Sequence, residues 1–159
     1  MAIRQIRVIG DEILTKPCKP VKEMNDRTRE LIGDMFETMY ASNGCGLAAP
    51  QVGIRKRLVV IDVDDENQYV LTNPEILETS GSQTGPEGCL SVPGKQGQVT
   101  RADHVKVRAL NEDMEEQVIE AEGLLARCIL HECDHLDGKL YVDLVEGALA
   151  DVEMGETEE

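Results

Sequence analysis

The apolar and polar positions divide the chain into two helical stretches with a long β-rich middle between them. From Asp26 to Ser42, Leu31, Ile32, Met35, Phe36, Met39 and Tyr40 recur at helical spacing. Asn25 or Asp26 is placed to cap this first helix, and Asn43-Gly44 to stop it. Such a stripe belongs against a core. Leu58 to Val63 is apolar and β-branched, as a buried strand is. Gln68 to Thr72 reads as its hairpin partner, ended by Asn73-Pro74, with a further strand over Ile76 to Ser80 and a loop over 81–86. His104 to Leu110 alternates, Asn111 to Met114 turns, and Glu115 to Ala121 returns. Leu140 to Val142 predicts a last short strand.

Gly123 to Leu136 predicts the second helix, stopped by Asp137-Gly138. Leu124, Leu125, Ile129, Leu130 and Leu136 cover most of its sides, so it belongs at the centre. Residues 1–23 are irregular, and from Glu146 the chain is acidic. The expected organisation is one catalytic domain over 1–145 and a flexible tail over 146–159. The expected fold class is α+β, with antiparallel β-sheets surrounding the central second helix and the N-terminal helix packed outside.

Composition narrows the function. The chain of 159 residues suits one domain, and with no Trp, one Phe and three Tyr its core must be aliphatic. A formal net charge of −15 repels phosphate backbones and anionic lipid, which speaks against direct nucleic-acid or membrane binding. No apolar run is long enough to cross a bilayer, and Met1 to Gly10 does not read as a signal peptide, so a cytoplasmic location is expected. Five cysteines without a C-x-x-C pair argue against a disulfide framework.

The chemistry concentrates in three segments. His131-Glu132-Cys133-Asp134-His135 reads H-E-x-x-H. On a helix, residues four apart share a face, so both imidazoles can hold one metal ion with Glu132 beside it. Three protein ligands and an open position make a catalytic site. The third is Cys89 or an acidic residue after the helix. Cys133 points to another face and reads as packing, whereas Cys128 is placed to line a pocket. In Gly44 to Gly53, glycines and alanines leave the backbone bare for a ligand, and Gln51 offers an amide N–H. Glu87-Gly88-Cys89-Leu90-Ser91 sets a cysteine before a turn, and His104 reads as a surface strand residue.

Together these segments resemble the peptide deformylase family. Gly44-Cys45-Gly46-Leu47-Ala48-Ala49-Pro50-Gln51 matches its G-x-G-L-A-A-x-Q, Glu87 to Ser91 its E-G-C-L-S, and His131 to His135 its H-E-x-x-H. The likeness runs from about Ile9 to Val142. It implies a metal-dependent hydrolase that removes the formyl group from the N-terminal formyl-methionine of newly synthesised polypeptides. By the same resemblance, Cys89, His131 and His135 bind one divalent metal ion, ferrous iron natively, with zinc or nickel as replacements. Glu132 acts as general base and then acid, and Gln51 with the Leu90 backbone N–H holds the oxyanion. Cys45, Gly46 and Gly88 lie along the extended peptide, and Cys45, Leu124 and Cys128 are expected to line the methionine pocket. Glu87 is expected to orient Gln51 or to pair with Arg101. Arg127 stands where many relatives carry an aliphatic residue. Some relatives end in a basic helix that docks on the ribosome; the acidic end here implies only transient ribosome proximity, and a monomer is expected. The rival reading is a zincin-type H-E-x-x-H metallopeptidase with a third ligand after the helix, such as Glu153. It leaves Glu87 to Ser91 without a purpose.

Overall fold

Alternation within one short strand explains the layering. In the computed structural model, which describes residues 3–64 and 67–151, β2 (Leu58–Ile61) is buried along its whole length. Leu58 and Val60 point to one side, where they meet Leu31, Ile32, Met35 and Met39 of α1 (Asp26–Ala41). Val59 and Ile61 point to the other, where they meet Ala126, Ile129, Cys133 and Leu136 of α2 (Gly123–Leu136). Side chains of a strand alternate between faces, so four consecutive apolar residues glue a helix to each side of a sheet.

That sheet has five antiparallel strands in the order β1 (Gly46–Ala48), β2, β3 (Tyr69–Ser80), β6 (His104–Leu110) and β7 (Glu116–Glu122). A second antiparallel sheet runs β4 (Gln83–Cys89), β5 (Val92–Arg101) and β8 (Glu146–Asp151). Val92 and Val99 pack with Tyr141, and the Tyr141 ring stacks 6.0 Å from that of His131. The second sheet thus closes over the face of α2 that the first leaves open. The α+β arrangement, with α2 inside and α1 outside, is the expected one.

Four local expectations are corrected. Asn73-Pro74 does not end a strand: β3 continues through it, with the register shifting between Thr72 and Glu75. Asn73 takes left-handed backbone at φ 52, and its side chain accepts from Val21 N at 2.7 Å and donates to Val21 O at 2.8 Å. A bulge tolerates the proline that a regular ladder would not. Most of the loop expected over 81–86 is the first half of β4, where Pro86 sits on a strand at the sheet edge. Leu140 to Val142 is no strand; Tyr141–Asp143 forms a short 3-10 turn. The expected flexible tail begins too early, because Glu146–Asp151 is β8, paired to β5. Acidic composition hid it, but ladder pairing uses the backbone. Residues 152–159, and with them Glu153, lie outside the described residues.

Candidate active site

Three elements converge on one cleft. The Gly44–Gly53 segment supplies β1 and then a 3-10 turn, Ala49–Val52, that aims Gln51 inward. Gly53, at φ 87, ends that turn in a conformation glycine adopts freely. The Gln51 carbonyl accepts from Ala48 N at 2.9 Å, while its amide nitrogen donates to Ser91 Oγ at 3.1 Å and reaches Cys89 Sγ at 3.5 Å. The amide group is therefore held with its donors toward the cysteine. Cys89 ends β4, pairs in register with Val92, and accepts from Ser91 N at 3.4 Å.

His131, Glu132 and His135 come from α2 and are all buried. The two rings are 5.1 Å apart at 68°. Cys89 Sγ lies 3.3 Å from His135 Nε2, and one donor atom from each of Cys89, His131 and His135 falls within 4.8 Å of the others. The Glu132 carboxylate stands beside them, 3.9 Å from His131 Nε2 and 4.0 Å from His135 Nε2. Its Oε1 is buried with no hydrogen-bond partner among the described residues. A sulfur and two imidazole nitrogens at this spacing fit a single cation, with a carboxylate oxygen left over for a ligand of that cation.

Electrostatics favour positive charge at this point. Burial opposes a charged His131, yet Glu132, Cys89 and Glu87 together raise its pKa well above the usual value. His135 is pushed down to about 3 by burial, with His131 and Arg101 adding to the shift, so it stays a neutral imidazole. Burial lifts Glu132 to about 7 against the pull of His131. The surroundings that retain a proton on His131 suit a divalent ion in its place.

Behind His131 lies a buried ionic cluster. His131 Nδ1 is 2.5 Å from Glu87 Oε1, which leaves Nε2 facing the cleft. Glu87 also receives Arg101 Nη2 at 2.5 Å and Arg127 Nη1 at 2.7 Å. Arg101 continues to Asp134 at 2.7 Å. Of the two roles expected for Glu87, the structure shows the pairing with Arg101; Gln51 is oriented by Ser91 and Ala48 instead. Arg127 lines the cleft, with its guanidinium bound to Glu87 and to the carbonyls of Val99 and Gln83. Sequence reading gave no role to Ser91, Asp134 or Tyr141, and singled out Arg127 without its partner Glu87. The first two sit inside the recognised motifs and were within reach; nothing in the string marks Tyr141.

The cleft has a volume of about 680 Å³ and is lined by Cys45, Gly46, Gly88, Leu124, Cys128 and Glu132 among others. A side chain at Gly46 would displace Glu132, since a Cβ there would meet its Oε2 at 2.8 Å. Gly44 is likewise pressed by Leu90, whose Cδ1 would lie 2.7 Å from an added Cβ. β1 forms the outer edge of its sheet along this cleft.

Comparisons with known proteins agree along the chain. The family described as polypeptide deformylase matches residues 3–149. A peptide deformylase of Agathobacter rectalis is 62% identical over 159 residues, covering 100% of both chains. Among solved structures, a peptide deformylase from Legionella pneumophila superposes with a TM-score of 0.88 at 48% identity, covering 91% of this chain and 86% of that one. One from Synechococcus elongatus, in complex with actinonin, gives 0.86 at 46% identity over 89% and 78%.

Proposed function

The chain belongs to the polypeptide deformylase family, and on that premise we propose that it hydrolyses the formyl group from the N-terminal formyl-methionine of newly made polypeptides. The observation that carries this reading is the meeting of Cys89, His131 and His135 within 4.8 Å, beside a buried Glu132 and at a strand edge. The rival zincin reading looks for its third donor after the helix; here a sulfur from β4 already stands at the two imidazoles.

Cys89, His131 and His135 would hold one divalent ion; ferrous iron suits them, and so do zinc and nickel. Such an ion supplies Lewis-acid polarisation and makes water a stronger acid. Glu132, lifted to about 7, takes the proton of the water that attacks the formyl carbon and returns it to the leaving amine nitrogen. The Gln51 amide and the Leu90 backbone N–H hold the charge that develops on the formyl oxygen, each such donor being worth about 3 kcal/mol of barrier. The peptide adds to the edge of β1 along Cys45, Gly46 and Gly88 through main-chain hydrogen bonds, which tolerate any following sequence. Cys45, Cys128 and the half-exposed Leu124 bound an apolar pocket for the methionine side chain.

No helix among the described residues is long and apolar enough to cross a membrane. With a net charge of −15, meetings with the ribosome are transient and the enzyme works in the cytoplasm as a monomer. The test is incubation with formyl-Met-Ala. Release of formate is expected; cleavage of the Met-Ala bond would instead support the zincin reading. Cys89→Ala should fail to retain metal, whereas Glu132→Ala should retain it and lose activity by roughly 100-fold or more. Full metal loading without Cys89 would contradict its assigned role.

A further inference from the structure

Cys45 and Cys128 face each other in the cleft with their sulfurs 2.8 Å apart. Both are free thiols, 83 positions apart in the sequence. Cys45 belongs to the bend before β1, between Gly44 and Gly46; Cys128 belongs to α2. A disulfide bond is about 2.05 Å long, so closing it requires each sulfur to travel only about 0.4 Å. Cys45 is half-buried and reached through the cleft, whereas Cys18 and Cys133 are buried in the core. None of the proton transfers assigned above uses either thiol.

We propose that Cys45 and Cys128 are a modification site, forming a reversible disulfide when a peroxide enters the cleft. The sulfurs are not equivalent. A hydrogen bond from Cys128 lowers the pKa of Cys45 against the opposing effects of burial and Glu132, while Cys128 itself is raised. Cys45 is thus the attacking sulfur and Cys128 the resolving one. The Cys45 thiolate attacks one peroxide oxygen, the O–O bond breaks, and hydroxide leaves behind a sulfenic acid. The Cys128 sulfur then attacks the Cys45 sulfur, the S–O bond breaks, and the departing hydroxide takes the Cys128 proton as water. In sum, two thiols lose two protons and two electrons, and one hydrogen peroxide becomes two waters.

The bond would tie the start of β1 to α2. Gly46, the next residue, lies so near Glu132 that an added Cβ would meet its Oε2 at 2.8 Å, and Cys45 and Cys128 both line the cleft. Oxidation therefore displaces the peptide-binding edge and narrows the pocket, and this consequence for turnover rests on the deformylase reading.

The experiment uses zinc-loaded protein, because zinc has no redox chemistry of its own. After treatment with one equivalent of hydrogen peroxide, peptide mapping should find a Cys45–Cys128 cross-link and unchanged zinc. Formate release from formyl-Met-Ala should fall by roughly tenfold or more, as a small misplacement of the reacting groups can cause, and dithiothreitol should restore it. Cys45→Ala, which removes the attacking sulfur, should keep its own untreated rate after peroxide. The proposal is overturned if both thiols still alkylate after peroxide, if the cross-link leaves the rate unchanged, or if Cys45→Ala is inactivated as fast as the parent. Untreated protein that released no formate would overturn the deformylase reading, and the mapping would still decide the disulfide.

Discussion

Glu87 is a buried carboxylate shared by three cationic or protonated partners, Arg101, Arg127 and His131. Burial alone would raise its pKa, but the hydrogen bonds from His131 and Arg101 and their charges bring it down to about 2. Its ordinary value is 4.5. A folded-state pKa below the unfolded one stabilises the protein above the unfolded value. That stability is lost as pH falls from about 4.5 toward 2. At about 1.4 kcal/mol per unit the loss is about 3 kcal/mol. Urea unfolding of metal-free protein should show this drop, and Glu87→Gln should flatten it; an equally steep fall in the variant would remove Glu87 as the cause. Since Glu87 fixes the His131 ring, the same substitution should weaken metal binding by roughly 10–100-fold in chelator competition.

At the scale of elements, the readable parts of the sequence were those with a strict period. α2 was expected over Gly123 to Leu136 and is found there; α1 differs by one residue at its end. β6 was also legible from alternation. Elements were misread where a local signal competed with pairing: Asn73-Pro74 looked like an end and is a bulge, and Gly85-Pro86 looked like a loop and is an edge strand. Within the site, the motifs gave the residues that meet in the cleft, and the Glu87–Arg101 pair was one of two roles expected for Glu87; the contacts of Arg127 and Asp134 with that pair stayed hidden because no sequence pattern links positions so far apart. The close approach of β1 to α2 does have a sequence mark, the bare Gly46. Gly46→Ala should push the Glu132 carboxylate aside, since its Oε2 and Cγ would lie 2.8 and 2.9 Å from the new methyl group. A shift of this kind costs roughly 100-fold in kcat. Metal content should not change. Unaltered kcat in a normally loaded variant would show that the carboxylate has room to yield.

For the whole molecule, 31 acidic residues against 16 basic ones make self-repulsion a standing cost of compactness. The end of the chain concentrates it: residues 146–159 carry six acidic side chains and no basic one. The same stretch also contributes structure, because β8 covers the edge of β5, and Thr100 donates to Glu146 at 2.5 Å. Val145 and Leu149 fill the space over Gly97, where an added Cβ would meet them at 2.7 and 3.3 Å. Truncation after Val145 therefore sets two effects against each other. Loss of a strand ladder is local and insensitive to salt, whereas relief of repulsion is long-ranged and vanishes once the Debye length falls to a few ångströms, near 1 M salt. The truncated chain should melt below the full chain at every salt concentration, because an exposed strand edge replaces a paired one. The gap should be smallest in dilute buffer, where the full chain bears its largest repulsion, and should widen as salt is added. Thermal melts across a sodium chloride series would measure both trends. A gap independent of salt would mean that the acidic end exerts no appreciable strain on the fold.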